Sequence, residues 1–174
     1  GSPGFSGVKP VREILDRADR GGCLSTIELL TVAGLLTSAR RTRDYFNDKA
    51  GEKSAIDHLF HSLHRNRFLE EKIKSAILDE DTIADTASPE LADIRRHMRA
   101  SEAKVRDILQ RLISSNQSKY LQEAIITIRS DRYVVPVKAE FKGSIPGLVH
   151  DVSSSGATVF VEPMQVVELN NTIR

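Results

Sequence analysis

The sequence contains no tryptophan and only one cysteine, Cys23, among its 174 residues. A single cysteine cannot form a disulfide within the chain, which fits a reducing compartment such as the cytoplasm. Apolar runs of about 18 residues are also missing, so the sequence predicts no membrane-spanning helix. Hydrophobic residues nevertheless make up 40% of the chain, enough to bury a core. These features predict a folded cytoplasmic protein.

An excess of charge of either sign is absent as well. The chain has 25 Lys and Arg against 24 Asp and Glu, a net charge of +1. Dedicated nucleic-acid-binding modules are usually strongly basic, so the composition argues against that class and leaves only local basic faces. Residues 1–7, GSPGFSG, resemble a cloning scar and are excluded from the fold prediction.

Helical periodicity occupies the first two thirds of the chain. Ser25 and Glu28 predict a capping box at the start of a helix that extends to Phe46. Ser88 and Pro89 predict the N-cap and first residue of a second long helix. The apolar stripe of that helix favours packing in a core over a dimeric coiled coil, and its members are Leu91, Ile94, Met98, Val105, Ile108 and Leu112. Between the two, a shorter amphipathic helix is predicted from Phe68, Leu69, Ile73, Ala76 and Ile77.

Strand periodicity begins after residue 120. Short runs rich in β-branched residues predict strands joined as hairpins, at Ala124–Ile128, Arg132–Ala139, Gly147–Val152 and Ala157–Glu162. Pro136 cannot donate a ladder hydrogen bond, so its strand is expected at an edge or with a bulge. After Pro163 a helical stripe returns through Val166, Leu169 and Ile173, and we expect it to be cut at Arg174. The predicted fold class is α+β, with a helical subdomain at 8–120, antiparallel hairpins at 121–163 and a truncated helix at 164–174.

The stretch GLVHDVSSSGATVFVEP, residues 147–163, raises the question of a hydrolase site. A nucleophile elbow needs Gly-x-Ser-x-Gly between a strand and a helix, and this stretch lacks that spacing. His150 and Asp151 are adjacent on a strand, so their side chains point to opposite faces. The alternative, a turn, is favoured: the serines satisfy local backbone groups and the glycine supplies a positive φ. The predicted turn residues are Ser153, Ser154, Ser155 and Gly156. A small hydrolase using His150 and the serines remains a third class.

Two further groups of residues are candidates for functional sites. His58, His61 and His64 recur at three-residue intervals on one predicted helix face, but without Cys or HExxH partners a solvated face is favoured over a metal site. Arg95, Arg96 and Arg99 are candidates for contacts with nucleic-acid phosphates. Interspersed acidic residues make an ordinary charged surface the favoured interpretation of that run.

The run RYVVPVKAEFKGSIPGLVHDVSSSGATVFVEPMQVVELNN, residues 132–171, resembles the signature of the second bacterial MutS subfamily, MutS-II. DTASPELADIRR, residues 85–96, and DRGGCLSTIELL, residues 19–30, are similar to upstream segments of that family in the same order. The resemblance implies that the chain is the core and lever region of such a protein. It also implies that HD-x-SSSG is a structural hairpin beside the lever.

The resemblance further implies a homodimeric, ATP-driven clamp that binds branched DNA and restrains homologous recombination. ATP, Mg and a C-terminal nuclease-like module would belong to the rest of that parent, because the chain contains no Walker motif. The segment itself is therefore expected to be non-catalytic, with no cofactor, metal, membrane or small-molecule substrate. Members are also implicated in recognising collided ribosomes. The alternative is thus a ribosome quality-control factor, with this region as a nucleic-acid or ribosome-binding module.

Overall fold

A computed structural model of the chain describes residues 8–48, 55 and 57–174. The predicted scar at 1–7 lies outside the described residues. The chain divides into two compact units, the first ending at Ala92 and the second running from Asp93 to Arg174. The described part of the first unit is mainly helical, whereas the second contains an antiparallel sheet. The α+β class is therefore confirmed.

Helices form most of the first unit, and their bounds are α1 (Arg12–Asp19), α2 (Thr26–Asp48), α3 (Asp57–Ser62) and α4 (Arg67–Ala76). The predicted capping box opens α2. The Ser25 amide donates to the Glu28 carboxylate at 2.8 Å, and the Glu28 amide donates to the Ser25 hydroxyl at 3.3 Å. Because these amides have no partner within the helix itself, the reciprocal pair fixes where α2 begins.

The core of the first unit lies between α2 and the end of α4. Val32 and Ala33 of α2 are buried in the same cluster as Ile73 of α4 and Ile77, which follows it. Apolar residues of these two helices therefore meet in one core, as amphipathic helices require.

The predicted stripe of α4 is wrong at its first two members. Phe68 is 76% exposed and Leu69 is 38% exposed, whereas Glu70 and Ile73 are buried. At 100° per residue, Phe68 lies roughly opposite the face that Glu70, Ile73 and Ile77 share. At the start of α4, the inward side chain is therefore Glu70, where the sequence had predicted Phe68.

The second unit contains most of α5 (Pro89–Ile113), whose predicted N-cap is confirmed: the Leu91 amide donates to the Ser88 hydroxyl at 3.1 Å. The buried side chains of α5 are Val105, Leu109, Leu112 and Ile113. The sequence reading missed Leu109 and included Ile94, which is 57% exposed. The predicted stripe is therefore a core stripe only in the second half of the helix.

Four strands form one antiparallel sheet, and their bounds are β1 (Thr127–Arg129), β2 (Arg132–Lys138), β3 (Gly147–Val152) and β4 (Thr158–Pro163). The strand order is β1-β2-β4-β3. The prediction that all the strands are joined as hairpins is wrong for β2 and β3, because β4 lies between them. In β4, Val159 and Val161 pair with Val137 and Val135 of β2, which gives both strands a buried face.

Pro136 lies in a central strand, so the expectation of an edge strand is wrong. Its pairing with Phe160 of β4 belongs to a continuous register without a bulge. The Pro136 carbonyl accepts a hydrogen bond from the Gln122 amide at 2.9 Å on the side away from β4. The N and C=O of one strand residue point to the same side. The missing N–H of Pro136 therefore faces the region beyond the end of β1 and costs the β2–β4 ladder nothing.

The last helix, α6 (Val167–Ile173), follows β4 after a short 3-10 turn. Val166 is fully buried, and Leu169 and Ile173 pack against the core of the sheet and α5. The predicted apolar stripe is confirmed, and it lies on the core of its own unit. Among the helices that the structure describes, none is both long enough and apolar enough to cross a membrane.

Candidate functional site

The serine-rich stretch forms the turn between β3 and β4. The Ser153 amide donates to the Thr158 carbonyl, and the Gly156 amide donates to the Ser153 carbonyl, both at 2.9 Å. The Ser153 hydroxyl accepts from the Thr158 amide at 3.1 Å, and the Ser155 hydroxyl accepts from the amide two residues later at 3.4 Å. Gly156 has a φ of 74°, and Ser154 is exposed. Two of the three serines thus bind the backbone of their own turn.

His150 and Asp151 contact different partners. The register of β3 shifts between Val149 and Asp151, which makes His150 the extra residue of a β-bulge. The imidazole of His150 reaches Glu162, whereas Asp151 pairs with Arg129 at 3.3 Å. The two side chains therefore do not act as a base and the group that orients it.

The three arginines singled out from the sequence lie in the first half of α5. Arg96 and Arg99 are exposed, and Arg95 is half-buried. Arg96 forms an ion pair with Asp93, and Arg95 and Arg99 each make a further interaction within the chain. The arginines share one exposed stretch of helix, but at least part of their charge is already engaged.

The three histidines considered for a metal site do not share one helix. His58 and His61 lie on α3, but His64 follows the end of that helix. The Nδ1 atom of His61 is 2.8 Å from the Asp57 carbonyl oxygen. Within 8–48, 55 and 57–174, no group of three or more His, Cys, Asp or Glu side chains could hold a metal ion.

A buried polar cluster joins the three strands β2, β3 and β4 to α6. Its centre is Glu162 of β4, which is 0% exposed. Arg132 of β2 donates to Glu162 Oε1 at 3.1 Å, and Asn170 of α6 donates to the same oxygen at 2.8 Å. His150 of β3 contacts the other carboxylate oxygen through Nε2. We call these four residues the polar cluster.

Asn170 also provides the hydrogen bonds that Tyr133 of β2 lacks from β4. Its side-chain amide donates to the Tyr133 carbonyl at 3.2 Å and accepts from the Tyr133 amide at 3.4 Å. Continuing the Val135–Val161 register by two residues would place Pro163 opposite Tyr133, and proline has no N–H to donate. The Asn170 amide therefore supplies both hydrogen bonds that a strand residue would otherwise make.

Arg132 and Glu162 form the ion pair of the polar cluster, so the cluster is sensitive to the loss of either residue. Arg132 is the cation for Glu162, and its side chain is 13% exposed. The same guanidinium donates to Asn171 of α6 at 2.7 Å and so bonds this helix to β2 directly. Removing one partner of a buried ion pair typically costs about 3–5 kcal/mol, because the remaining charge stays buried. The middle of α6 is thus held by directional bonds as well as by apolar packing.

The sequence reading missed the polar cluster. One usable signal was Asn170, which lies one turn after Val166 and therefore on the same buried helix face. Another was Glu162, a charged residue inside the apolar run from Val159 to Pro163. Charged and amide side chains at inward positions are buried only when they have partners. Which residues pair could not be read from the sequence, because β2, β4 and α6 meet only in the folded chain.

A second buried glutamate joins α2 to α4 in the first unit. Arg40 donates to both oxygens of Glu70, at 3.0 and 3.1 Å, and Lys74 and Thr37 donate at 2.9 and 2.7 Å. The hydrogen bonds from Arg40, aided by those from Lys74 and Thr37, outweigh burial and lower the pKa of Glu70 from 4.5 to about 2. This carboxylate is ionised at neutral pH and acts as a structural anchor.

Comparison with known proteins gives close relatives over the full length of the chain. It is 51% identical to a protein of Ruminiclostridium cellulolyticum, 45% identical to one of Acetivibrio thermocellus and 44% identical to one of Clostridium beijerinckii, each named endonuclease MutS2. Every alignment covers 100% of the chain and 22% of the relative, so the chain spans about a fifth of the length of these proteins. A comparison with protein-family models gave no match.

Proposed function

Because this chain is a MutS-II-like segment over its whole length, we propose that it is a non-catalytic core and lever segment of a larger protein. Its role in this proposal is mechanical: the second unit holds the start of α6 in a fixed direction relative to the sheet. The chain spans 22% of the length of its curated relatives. In this proposal, ATP hydrolysis and DNA cleavage belong to other parts of the parent.

The observation that supports this role is the attachment of α6 by the polar cluster. Apolar packing alone would leave a short helix free to slide or rotate, since hydrophobic contacts are not directional. The Asn170 amide instead makes three hydrogen bonds, two to Tyr133 and one to Glu162. These bonds fix both the position and the rotation of α6, which a lever requires at its base.

A movement of α6 can be passed to the sheet only if their packed interface has a few discrete arrangements. A packed interface shifts between a few stable states rather than deforming continuously, and hydrogen-bonded contacts make those states sharper. In the proposed parent, closure of nucleotide-binding domains would pull on the helix that begins with α6. The polar cluster would convert that pull into a movement of the sheet.

For the parent we propose the function that the family resemblance implies. It would be a homodimeric, ATP-dependent clamp that binds branched DNA and suppresses homologous recombination, with ATP and Mg bound outside this segment. The printed name of the relatives, endonuclease MutS2, is consistent with a nuclease module elsewhere in the parent.

A ribosome-associated role is the alternative, with collided ribosomes as the target. The exposed guanidinium groups of Arg96 and Arg99 support this ribosome-associated role, because guanidinium groups bind the phosphates of structured RNA. Three phosphate contacts by Arg95, Arg96 and Arg99 would give a log-log salt slope of only about −2 to −3. Tight binding of ribosomal particles at 150 mM salt, abolished when the three arginines become Glu, would favour a binding module over a lever.

The mechanical proposal is tested in the full-length protein that contains this segment, by replacing Asn170→Leu. This substitution keeps a side chain of similar size and removes the three hydrogen bonds to Tyr133 and Glu162. We expect basal ATP hydrolysis to be unchanged, because no residue of the polar cluster is assigned to the ATPase site. The change in DNA affinity between nucleotide-free and ATP-bound protein should shrink by several fold.

Thr172→Ala is the matched control. Thr172 is exposed on the same helix, and its hydroxyl donates to the Glu168 carbonyl of α6 itself at 3.1 Å. Thr172→Ala should leave unchanged both the basal ATP hydrolysis and the change in DNA affinity on ATP binding. If Asn170→Leu abolished basal ATP hydrolysis together with the nucleotide response, the polar cluster would only support the fold, and the mechanical role would be contradicted.

A further inference from the structure

Phe68 is an aromatic side chain on the outward face of α4 in the first unit. It is 76% exposed, more than any other large apolar side chain that the structure describes. Keeping a phenyl ring in water forgoes roughly 1.5–3 kcal/mol of burial energy. The core formed by Val32, Ala33 and Ile73 does not use it. The ring is therefore available for a contact outside the unit.

One cation contacts this ring, and two arginines lie close to it in the sequence. The Nζ atom of Lys72, one turn along α4, lies over the ring at 5.8 Å from its centroid, within the range of a cation–π interaction. Arg67, the preceding residue, has a side chain that is 76% exposed and pairs with Glu71 at 2.6 Å. Arg65 is half exposed and pairs with Asp44 at 3.1 Å. Their ion pairs lie at the surface and are worth little, so a stronger anion can replace the partners.

The stretch of sequence around Phe68 carries a net positive charge. Residues 40–74 contain nine Lys or Arg and six Asp or Glu, a net charge of +3, while the whole chain carries +1. Three of the five histidines of the chain, His58, His61 and His64, fall in the same stretch. The excess positive charge of the protein is thus concentrated in the stretch of sequence that contains Phe68.

We propose that Phe68 is a stacking platform for an unpaired base of a single-stranded nucleic acid, with Lys72, Arg67 and Arg65 contacting the adjoining phosphates. An exposed ring among cations suits this ligand, because a base stacks on the ring while its backbone pairs with the cations. Duplex DNA does not offer a free base face. The contact is independent of the polar cluster, which lies in the other unit.

The absence of tryptophan makes the proposal directly measurable. Phe68→Trp introduces the one indole of the chain at the proposed platform. Its fluorescence is followed at low salt during titration with a single-stranded oligonucleotide, and separately with an abasic strand of equal length and charge. We expect the oligonucleotide to quench the indole and the abasic strand to leave it nearly unchanged, because only the former can stack.

Leu78→Trp is the matched control, since Leu78 is 63% exposed in the same unit. We expect little quenching at that position. In the chain that otherwise keeps its own sequence, Phe68→Ala should weaken oligonucleotide binding roughly 5- to 150-fold, the range for losing one base–aromatic stack. Lys72→Gln should weaken binding less and should lower the salt dependence. Phe68 is exposed, so these variants should keep the thermal midpoint of the wild type.

Three results would overturn the proposal. One is equal quenching by the abasic strand, which would mean that charge alone draws the polymer. Another is binding that Phe68→Ala leaves unchanged. The last is an acidic peptide that displaces the oligonucleotide and binds more tightly than it does, which would make the ring a docking site for a protein.

Discussion

At the scale of single residues, Gly147 shows how closely β3 and β4 approach each other. A Cβ atom at this position would lie 2.2 Å from the carbonyl oxygen of Glu162 and 2.8 Å from Val161 Cγ1. The 2.2 Å contact involves backbone, which cannot move aside without separating the strands. Because Glu162 is the centre of the polar cluster, the absence of a side chain at residue 147 helps to place that carboxylate.

Replacing Gly147→Ala should therefore destabilise the chain by roughly 1–3 kcal/mol, the range for forcing an extra group into a packed site. Gly143→Ala is the control, because a Cβ there meets nothing within 4 Å. Urea unfolding of the two variants and the wild type would measure the difference. Equal midpoints for the two variants would contradict the close approach of β3 and β4.

Glu70 gives a prediction about pH. Its pKa is lowered from 4.5 to about 2, mainly by the hydrogen bonds from Arg40, so folding favours the ionised form. The stability that this group contributes is present above its unfolded pKa of about 4.5. It is lost as the pH falls through the folded pKa of about 2. Glu70→Gln should lower stability at neutral pH by roughly 1–3 kcal/mol and flatten its fall between these two pH values.

Denaturant midpoints measured across that pH range would test this. Glu71→Gln is the control, since Glu71 is on the same helix but its side chain is 61% exposed. That variant should follow the wild-type curve closely. Parallel pH profiles for the wild type and Glu70→Gln would show that the Arg40–Glu70 contact does not carry the pH dependence.

At the scale of elements, local chemistry accounts for most of what the sequence predicted. Ser25 with Glu28 and Ser88 with Pro89 mark helix starts through bonds to neighbouring residues, so the sequence contains all the needed information. β3 was predicted at its observed bounds for a similar reason, since its turn residues lie beside it. The place of β4 between β2 and β3 could not be predicted, because strand order depends on contacts between distant segments.

The same limit applies to the candidate site. The four members of the polar cluster come from four elements, so no local pattern shows which of them pair. The predicted segments 8–120, 121–163 and 164–174 remain a prediction, as do the nucleic-acid contacts of Arg95, Arg96 and Arg99. The lever role of α6 was expected from the resemblance, but its means of attachment emerges only from the structure.

The turn between β3 and β4 gives a prediction at this scale. Gly156 has a φ of 74°, which a β-branched residue adopts at high cost, whereas a Cβ there would meet no neighbour. Gly156→Val should therefore destabilise more than the triple replacement of Ser153, Ser154 and Ser155 by Ala. The triple variant loses local hydrogen bonds worth about 1 kcal/mol. Thermal melts that show the reverse order would contradict the role of Gly156 in the turn.

At the scale of the whole molecule, the second unit consists of a sheet, one long helix and a short helix that the polar cluster bonds to the sheet. The first unit has its own core and its own buried anchor at Glu70, so each unit contains the contacts that stabilise it. The polar cluster, and Asn170 above all, holds α6 on the sheet.

The attachment of α6 by the polar cluster can be measured by native-state hydrogen exchange. The chain is compared as wild type, Asn170→Leu and Thr172→Ala. Local openings appear as a loss of protection confined to the element that opens. We predict that Asn170→Leu lowers protection of the α6 amides and of the Tyr133 amide by at least about tenfold, equivalent to roughly 1.4 kcal/mol. The amides of α2 and α4 should keep wild-type protection, and Thr172→Ala should change none of them. Unchanged protection of α6 in Asn170→Leu, or an equal loss throughout both units, would contradict the account.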